Sequence, residues 1–564
     1  VGLIRPDEPA FSIDEWRAQP ATERLRMMCV TWATQGFGAP YVVYVLYIVK
    51  ILFFIGVFLV IAAFTPGLGG PASFGEWWSE PIAFEKAVLW TLMFEVMGLG
   101  CGSGPLTGHY APMFPATRHW LRPGTTRLRP FTWVPFTAGH RRTWVDVGLY
   151  AALLVLLAVA LASSQLGAAR LLPVVVVLCV LGLRDKTIFL AARSEHYLMM
   201  VVAFLFAADA IAAAKAVMVI MWVGAALSKL THHFPSVMAV MLSNSPVTRS
   251  ERFRRALYRH YPDDLRPSRL TTVFAHTATA VEFTFPLVLA FTTDGPLHTA
   301  ALVLMVLFHL NILVSIPMGV PLEWNVVFIY SGLVLFGAYG DVRFWSIGSP
   351  VLIVLLIAYV LIGPVWGNLR PDKISFLPSM RYYAGNWAPS IWLFRPGLMD
   401  RLDERITKAA PLPRIQLEGQ IEPGTFDVTM ARGYAMRAMH LHGRALAVLT
   451  PRMFEDLAAT DAEVAAKGQD AFESIDGEQV AGLVLGWNFG DGHLHHEQLL
   501  AAIQDQCDFA PGDVRCLFLE SQPLHRQGMH WRIADAANGG IDEGWIEIAD
   551  LVGLQPWGEP TPVG

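Results

Sequence analysis

The stretch Tyr41–Phe64, YVVYVLYIVKILFFIGVFLVIAAF, decides the fold class, and Lys50 is its single charged residue. Hydrocarbon offers no partner to a bare backbone group, so about 20 consecutive apolar residues read as a membrane helix. Working outward, further apolar stretches lie at 83–101, 144–163, 168–183, 197–213, 215–231, 270–291, 299–317, 325–340 and 347–366. The continuous run Tyr197–Leu230 is too long for one span and is divided near Lys215. The stretch 83–101 carries Glu85, Lys86 and Glu95, the heaviest charge of the set.

Composition supports this. Of 564 residues 54% are hydrophobic and 16% charged, against roughly 25% charged in soluble globular chains. A disordered chain, a collagen-like chain and an ordinary cytosolic enzyme are excluded. The net charge of −5 hides an asymmetry: residues 401–564 hold 12 Lys+Arg and 25 Asp+Glu, a balance of −13, which leaves +8 for residues 1–400. The expected architecture is an all-α polytopic membrane bundle of about ten transmembrane helices, followed by a small α+β soluble domain. Its parts are a cytoplasmic or interfacial segment (1–40), the helical domain (41–369), an aromatic membrane-surface linker (370–411) and an acidic C-terminal domain (412–564).

Lys/Arg bias sets the orientation. Residues 1–40 carry four, 102–143 six, 184–196 three and 231–269 seven, while the opposite loops hold Arg170, Lys215 and Arg343. Both termini are therefore expected on the cytoplasmic side of an inner (cytoplasmic) membrane. Membrane lipids are the expected partners, with a protein partner at the acidic tail as a further one. No nucleic acid is expected, because the basic runs flank membrane spans.

In the linker, Tyr382, Tyr383, Trp387 and Trp392 are expected as interfacial anchors. In the tail, VAGLVLGW, RCLFLESQPL, HWRIADA and GWIEIAD read as strands, and MFEDLAATDAEVAAKG and HHEQLLAAIQDQC as helices. His440 and His442, and the cluster His493, His495 and His496, raise a metal question, since alternating His can share a strand face. Five scattered cysteines supply no zinc spacing and no HExxH occurs, so no metal is expected. GSGPLTGHY (102–110) has no following Lys-Ser/Thr and reads as a turn-rich connector that is not a phosphate loop.

An ionisable group at membrane depth costs about 2.5–3.5 kcal/mol on insertion scales and marks a functional site by default. Lys50, Asp209, Lys229, His276, Glu282 and His309 are such groups, with His196 at the mouth of a span. Helix pairing and snorkelling are the structural alternatives, and Lys215, near a helix end, is expected to snorkel.

Three strings give these groups an order: LRDKTIFLAARSEHYLMM (183–200), WVGAALSKLTHHF (222–234) and LFHLNILVSI (307–316). They resemble, in sequence order, the membrane domain of vitamin K-dependent gamma-carboxylases and the related bacterial horizontally transferred transmembrane proteins. VEFTFPLVLAF (281–291) resembles the acidic helix between the last two. The resemblance spans roughly residues 180–340 and does not reach the tail. It implies Lys229 as a catalytic base, His196 and His309 as its partners, and Glu282 orienting one of them. It further implies a reduced quinone, of menaquinone or ubiquinone type, as cofactor. A lysine kept neutral by an apolar pocket is the physical requirement of that chemistry.

Three functions are weighed. The first is an integral-membrane enzyme of the gamma-carboxylase-like superfamily, acting on a quinone or other lipid-phase substrate with a buried lysine as base. The second is a non-catalytic membrane scaffold, or a lipid-binding subunit of a larger membrane complex. A transporter is third, and no internal repeat favours it.

Overall fold

The computed structural model describes residues 3, 6–101, 104, 108–110, 116–315 and 321–559. After an amphipathic helix α1 (Ala21–Gln35), the chain enters α2 (Tyr41–Ala63). Only Tyr47, Lys50, Phe54 and Ala62 of α2 are buried, while Ile48, Val49, Leu52, Phe53 and Val60 stay exposed. Such an apolar outer face on a helix fits lipid and not water. The next helices are α3 (Pro81–Val96), α4 (Trp144–Ala162), α5 (Ala168–Arg184), α6 (Tyr197–Phe204) and α7 (Ala210–Ser228). They are followed by α8 (Arg269–Phe291), α9 (Gly295–Ser315), α10 (Leu322–Gly332) and α11 (Pro350–Leu369).

Six of these, α2, α4, α7, α8, α9 and α11, are long and apolar enough to cross a membrane, fewer than the ten expected. The difference has physical reasons. Helix α3 is 16 residues long and buried along most of its length, so it lies within protein. Helix α6 stops after eight residues, about 12 Å at 1.5 Å per residue, where a hydrocarbon core needs ~30 Å. The run Tyr197–Leu230 therefore breaks at 205–209 instead of at Lys215. Asp209 fixes that corner by accepting the backbone N–H groups of Gly348 and Ser349 at 2.9 Å each. Lys215 lies inside α7 and does not snorkel: it is buried and donates to the carbonyls of Tyr339, at 2.6 Å, and Val342. His276 is exposed on α8.

The tail carries a five-stranded antiparallel sheet. Strands β1 (Ser390–Phe394), β2 (Glu473–Asp476), β3 (Val514–Leu519), β4 (Gly528–Asp535) and β5 (Gly539–Glu547) run in the order β2-β1-β3-β4-β5. Trp392 of β1 faces Cys516 and Ile475 in register, fully buried between two strands and not at a membrane interface. Tyr382 and Trp387 are also buried. The sheet thus begins inside the expected linker 370–411.

Helices α12 (Phe426–Ala438), α13 (Leu441–Leu449), α14 (Gly477–Leu485) and α15 (Glu497–Cys507) complete the tail elements used below. VAGLVLGW, expected as a strand, is α14. Asp476 caps it by accepting from Glu478 N, and Gly486 ends it at φ 87°, a left-handed conformation natural to glycine. An all-apolar run has no period to separate strand from helix, and these caps decide it.

The tail and the bundle share one core. Trp120, Leu128 and Ile188 pack in the same buried cluster as Leu483, Trp487, Leu499 and Ile503. Polar contacts stitch the same seam. Trp120 Nε1 donates to Leu485 O at 2.8 Å, Gln498 Nε2 to Arg129 O at 3.1 Å and Gln506 Nε2 to Thr126 Oγ1 at 3.2 Å.

Candidate functional site

The four residues singled out by sequence divide into two neighbouring groups. In the first, Lys229, the residue that ends α7, contacts the carboxylate of Glu282 on α8, and their side chains are 9% and 5% exposed. Glu282 reaches Lys229 and not a histidine. The contact has the form of the helix-pairing alternative to a catalytic base.

His309 on α9 lies close by and is saturated with hydrogen bonds. Trp222 Nε1 donates to its Nε2 at 3.0 Å. An indole N–H can only donate, so the imidazole proton sits on Nδ1, which meets Asn325 Oδ1 at 2.9 Å. Asn325 Nδ2 in turn donates to Pro321 O at 2.7 Å. The chain Trp222–His309–Asn325 fixes a neutral imidazole with no nitrogen left to exchange a proton.

His196 is different. Trp324 Nε1 donates to its Nδ1 at 2.8 Å, which places the ring proton on Nε2 by the same reasoning. That Nε2–H is buried and has no hydrogen-bond partner among the described residues. The hydroxyl of the adjacent Tyr197 is likewise buried and unpartnered. The rings of His196 and His309 each lie 5.0 Å from Phe328, so one aromatic side chain separates the two groups.

His196 belongs to a dense charged cluster drawn from five parts of the chain. Arg193 takes a left-handed backbone conformation (φ 49°), a strained state for a side chain with Cβ. Its Nε meets Glu195 Oε1 at 2.8 Å, its Nη1 donates to Cys101 Sγ at 3.2 Å, and its guanidinium lies 3.8 Å from the Trp324 ring. Lys50 Nζ pairs with Glu323 Oε2 at 3.2 Å and donates to Gly100 O at 2.9 Å. Glu95 Oε2 accepts the Cys101 backbone N–H at 3.1 Å. The tail closes the cluster: Tyr382 OH donates to Glu195 Oε1 at 3.2 Å. Gly100 is required here, because a Cβ at that position would overlap the Glu95 carboxylate.

Sequence reasoning named His196 and Lys50 in this cluster and missed the others as site residues. Glu95 served only to weaken a span, Cys101 was one of five scattered thiols, and Glu323 fell just before an apolar stretch. The RSEH string (193–196) was the available signal. The connector 102–110 adjoins this site, but Gly102, Ser103 and 105–107 lie outside the described residues.

The tail histidines form two separate groups. His440 directly precedes α13 and His442 lies in its first turn, so they share no strand face, although their rings stack at 5.1 Å, and the rings of His493 and His496 lie 5.6 Å apart. His493 bonds Ser375 Oγ at 3.1 Å and Pro371 O at 2.9 Å, whereas His495 bonds Ser390 Oγ at 2.7 Å. Burial pulls the imidazoles of His440, His493 and His495 down to about 3. At the seam, burial lifts the Asp491 carboxyl to about 6 against the pull of Lys186, and lowers the Lys186 ammonium to about 8.

Among the described residues, a mostly helical fold with six helices long and apolar enough to cross a membrane and a small C-terminal sheet defines a polytopic membrane protein. It belongs to the family described as transmembrane protein of unknown function (DUF3556), whose model matches residues 1–564. No curated protein and no solved structure matches the chain. No link to the gamma-carboxylase-like proteins is shown.

Proposed function

We propose that this protein is an integral-membrane enzyme that acts on a lipid-phase substrate at the cluster around His196, Tyr197 and Cys101. One observation carries the reading: two adjacent fully buried donors, His196 Nε2–H and Tyr197 O–H, have no acceptor among the described residues. A buried donor left unmade costs about 1–3 kcal/mol, and two side by side on a strained turn call for a ligand oxygen. A reduced quinone of menaquinone or ubiquinone type suits such a place. Its oxygens would accept from the two donors. In this reading His196 is the residue that meets substrate, and the Lys229–Glu282 pair and His309 hold α7, α8 and α9 in register.

A scaffold reading draws support from the other charges. Lys229–Glu282 joins α7 to α8 and Lys50–Glu323 joins α2 to α10, as helix-pairing devices do. The acidic tail would then serve as the docking surface for a protein partner. In both readings an inner-membrane location with cytoplasmic termini is supported by the Lys/Arg-rich segments 1–40, 102–143, 184–196 and 231–269 lying together against the tail, through Phe37 N to Asn244 Oδ1, Arg127 Nη1 to Arg184 O, Gln498 Nε2 to Arg129 O and Leu265 N to Gln555 Oε1.

The test is ligand retention. Full-length protein is purified in detergent, and its bound quinone and lipid are measured after solvent extraction, beside His196→Phe and Tyr197→Phe. Each donor is expected to contribute about 1.4 kcal/mol, so each variant should retain roughly tenfold less quinone. Equal retention by all three proteins, or none by wild type, would overturn the enzyme reading and favour the scaffold.

A further inference from the structure

The cluster contains three ligand-type atoms that face one another. Glu95 spends Oε2 on the Cys101 backbone N–H and turns Oε1 to Cys101 Sγ at 3.3 Å. Glu323 spends Oε2 on Lys50 and turns Oε1 to the same sulfur at 3.6 Å. The sulfur receives Arg193 Nη1 from its other side. Each of the three groups thus has its own outer donor, and the inner atoms Oε1, Sγ and Oε1 face one another. The three residues are fully buried, and these atoms lie within 4.8 Å of one another.

We propose that Glu95, Cys101 and Glu323 bind a divalent transition-metal ion, zinc in the first instance. The spacing fits. A tetrahedral zinc with sulfur at ~2.3 Å and oxygen at ~2.0 Å separates the two by about 3.5 Å. The observed 3.3 and 3.6 Å bracket that value. The outer donors are the kind that orient metal ligands: a backbone N–H on one carboxylate, a lysine on the other and a guanidinium on the sulfur. Charge balances as well. Zinc and a thiolate, with Glu95, Glu323 and Glu195 against Lys50 and Arg193, sum to zero without a protonated carboxylate. Binding releases the thiol proton to solvent.

The second observation is Tyr197. Its hydroxyl is fully buried and unpartnered, and the charged groups around it are Glu95, Arg193, Cys101 and Glu323. Three protein ligands leave a fourth position, and that hydroxyl, without a partner among the described residues and with these charged neighbours, is a donor available to whatever fills it. Closed structural zinc sites use four protein ligands, so this is the open kind. The sequence-based expectation of no metal is departed from because Glu323, 222 positions along the chain from Cys101, joins Glu95 and Cys101. The metal site does not depend on the enzyme reading, since a scaffold could hold the ion too.

The test uses the full chain in detergent, stripped with chelator and reloaded with Zn²⁺ alone or Co²⁺ alone. Wild type should retain about one zinc per chain after desalting. Its cobalt form should show a sulfur-to-cobalt charge-transfer band and the strong visible bands of tetrahedral cobalt. Cys101→Ser should abolish the charge-transfer band, Glu323→Gln should weaken zinc retention at least tenfold, and Cys507→Ser should change neither. A Cys101→Ser protein that fails to fold is replaced by wild type alone, in which zinc should raise the unfolding midpoint and protect one cysteine from alkylation. Retention of no zinc by wild type, or a cobalt spectrum without the sulfur band, would overturn the proposal. Quinone retention is read separately, on zinc-loaded and zinc-free protein, because both sites would call on the single Tyr197 O–H donor.

Discussion

Substitution at Lys229 separates a pairing lysine from a catalytic base without knowledge of any substrate. The ammonium and the Glu282 carboxylate are in contact, with side chains 9% and 5% exposed, so water screens neither. Lys229→Met removes the cation and strands a buried carboxylate, which costs about 3–5 kcal/mol. Unfolding entropy near ~2.1 cal/mol/K per residue over this length converts that to a fall of about 3–4 °C in midpoint if the whole chain unfolds together. The fall is larger if the bundle unfolds alone. Lys229→Arg keeps the charge and should stay within about 1 °C of wild type. The double variant Lys229→Met/Glu282→Gln should recover most of the loss, which shows that the cost lies in the stranded charge and not in lost packing. The assay is thermal unfolding of the purified protein in detergent, followed by tryptophan fluorescence. A Met variant as stable as wild type beside a destabilised Arg variant would refute the pairing argument. It would restore the neutral lysine that the carboxylase-like resemblance implies.

Three further outcomes are expected. Residues 412–556 expressed alone should be insoluble or molten, because the seam removes Trp120, Leu128 and Ile188 from their core and β1 from their sheet; a cooperatively folding product, seen by circular dichroism, would contradict the shared core. Acid should loosen the tail below pH 6.5. His119, His440, His493 and His495 are held down to about 3 by burial, so their contribution is intact above their unfolded value of about 6.5 and is lost as pH falls. Asp491, raised to about 6, Glu520, raised to about 7, and Asp476 and Glu478, also raised by burial, act in the opposite sense, and with His442 and His496 lowered as well six imidazoles stand against four carboxyls; rising protease sensitivity of the tail between pH 6.5 and 4 checks the sign, and constant sensitivity refutes it. A cysteine placed by Asn538→Cys in the exposed turn between β4 and β5 should resist an impermeant maleimide in intact cells and react after lysis; labelling from outside would reverse the proposed orientation.

What the sequence showed, and what it hid, follows from the range of each interaction. Apolar length is a local property, so Tyr41–Ala63 and Arg269–Phe291 are legible as spans from their residues alone. Helix interruption is not local. The break at 205–209 depends on Asp209 capping a backbone about 140 positions away, and no window along Tyr197–Leu230 contains that partner. The same limit explains the tail, where a resemblance that stops near residue 340 cannot place Tyr382 against Glu195.

Residue identity also says less about a histidine than its neighbours do. His196 and His309 share the resemblance, the depth and an indole donor each, and sequence gives them one role. The distinction lies in which nitrogen the indole meets. At His309 the remaining nitrogen finds Asn325, and the ring is locked. At His196 the remaining N–H finds no protein acceptor beside an unpartnered tyrosine hydroxyl and a strained arginine turn. Two imidazoles that sequence made equivalent are thus a structural group and a candidate reactive one. The centre of interest moves from Lys229 to the Arg193–Tyr197 turn and the acidic and thiol groups packed against it.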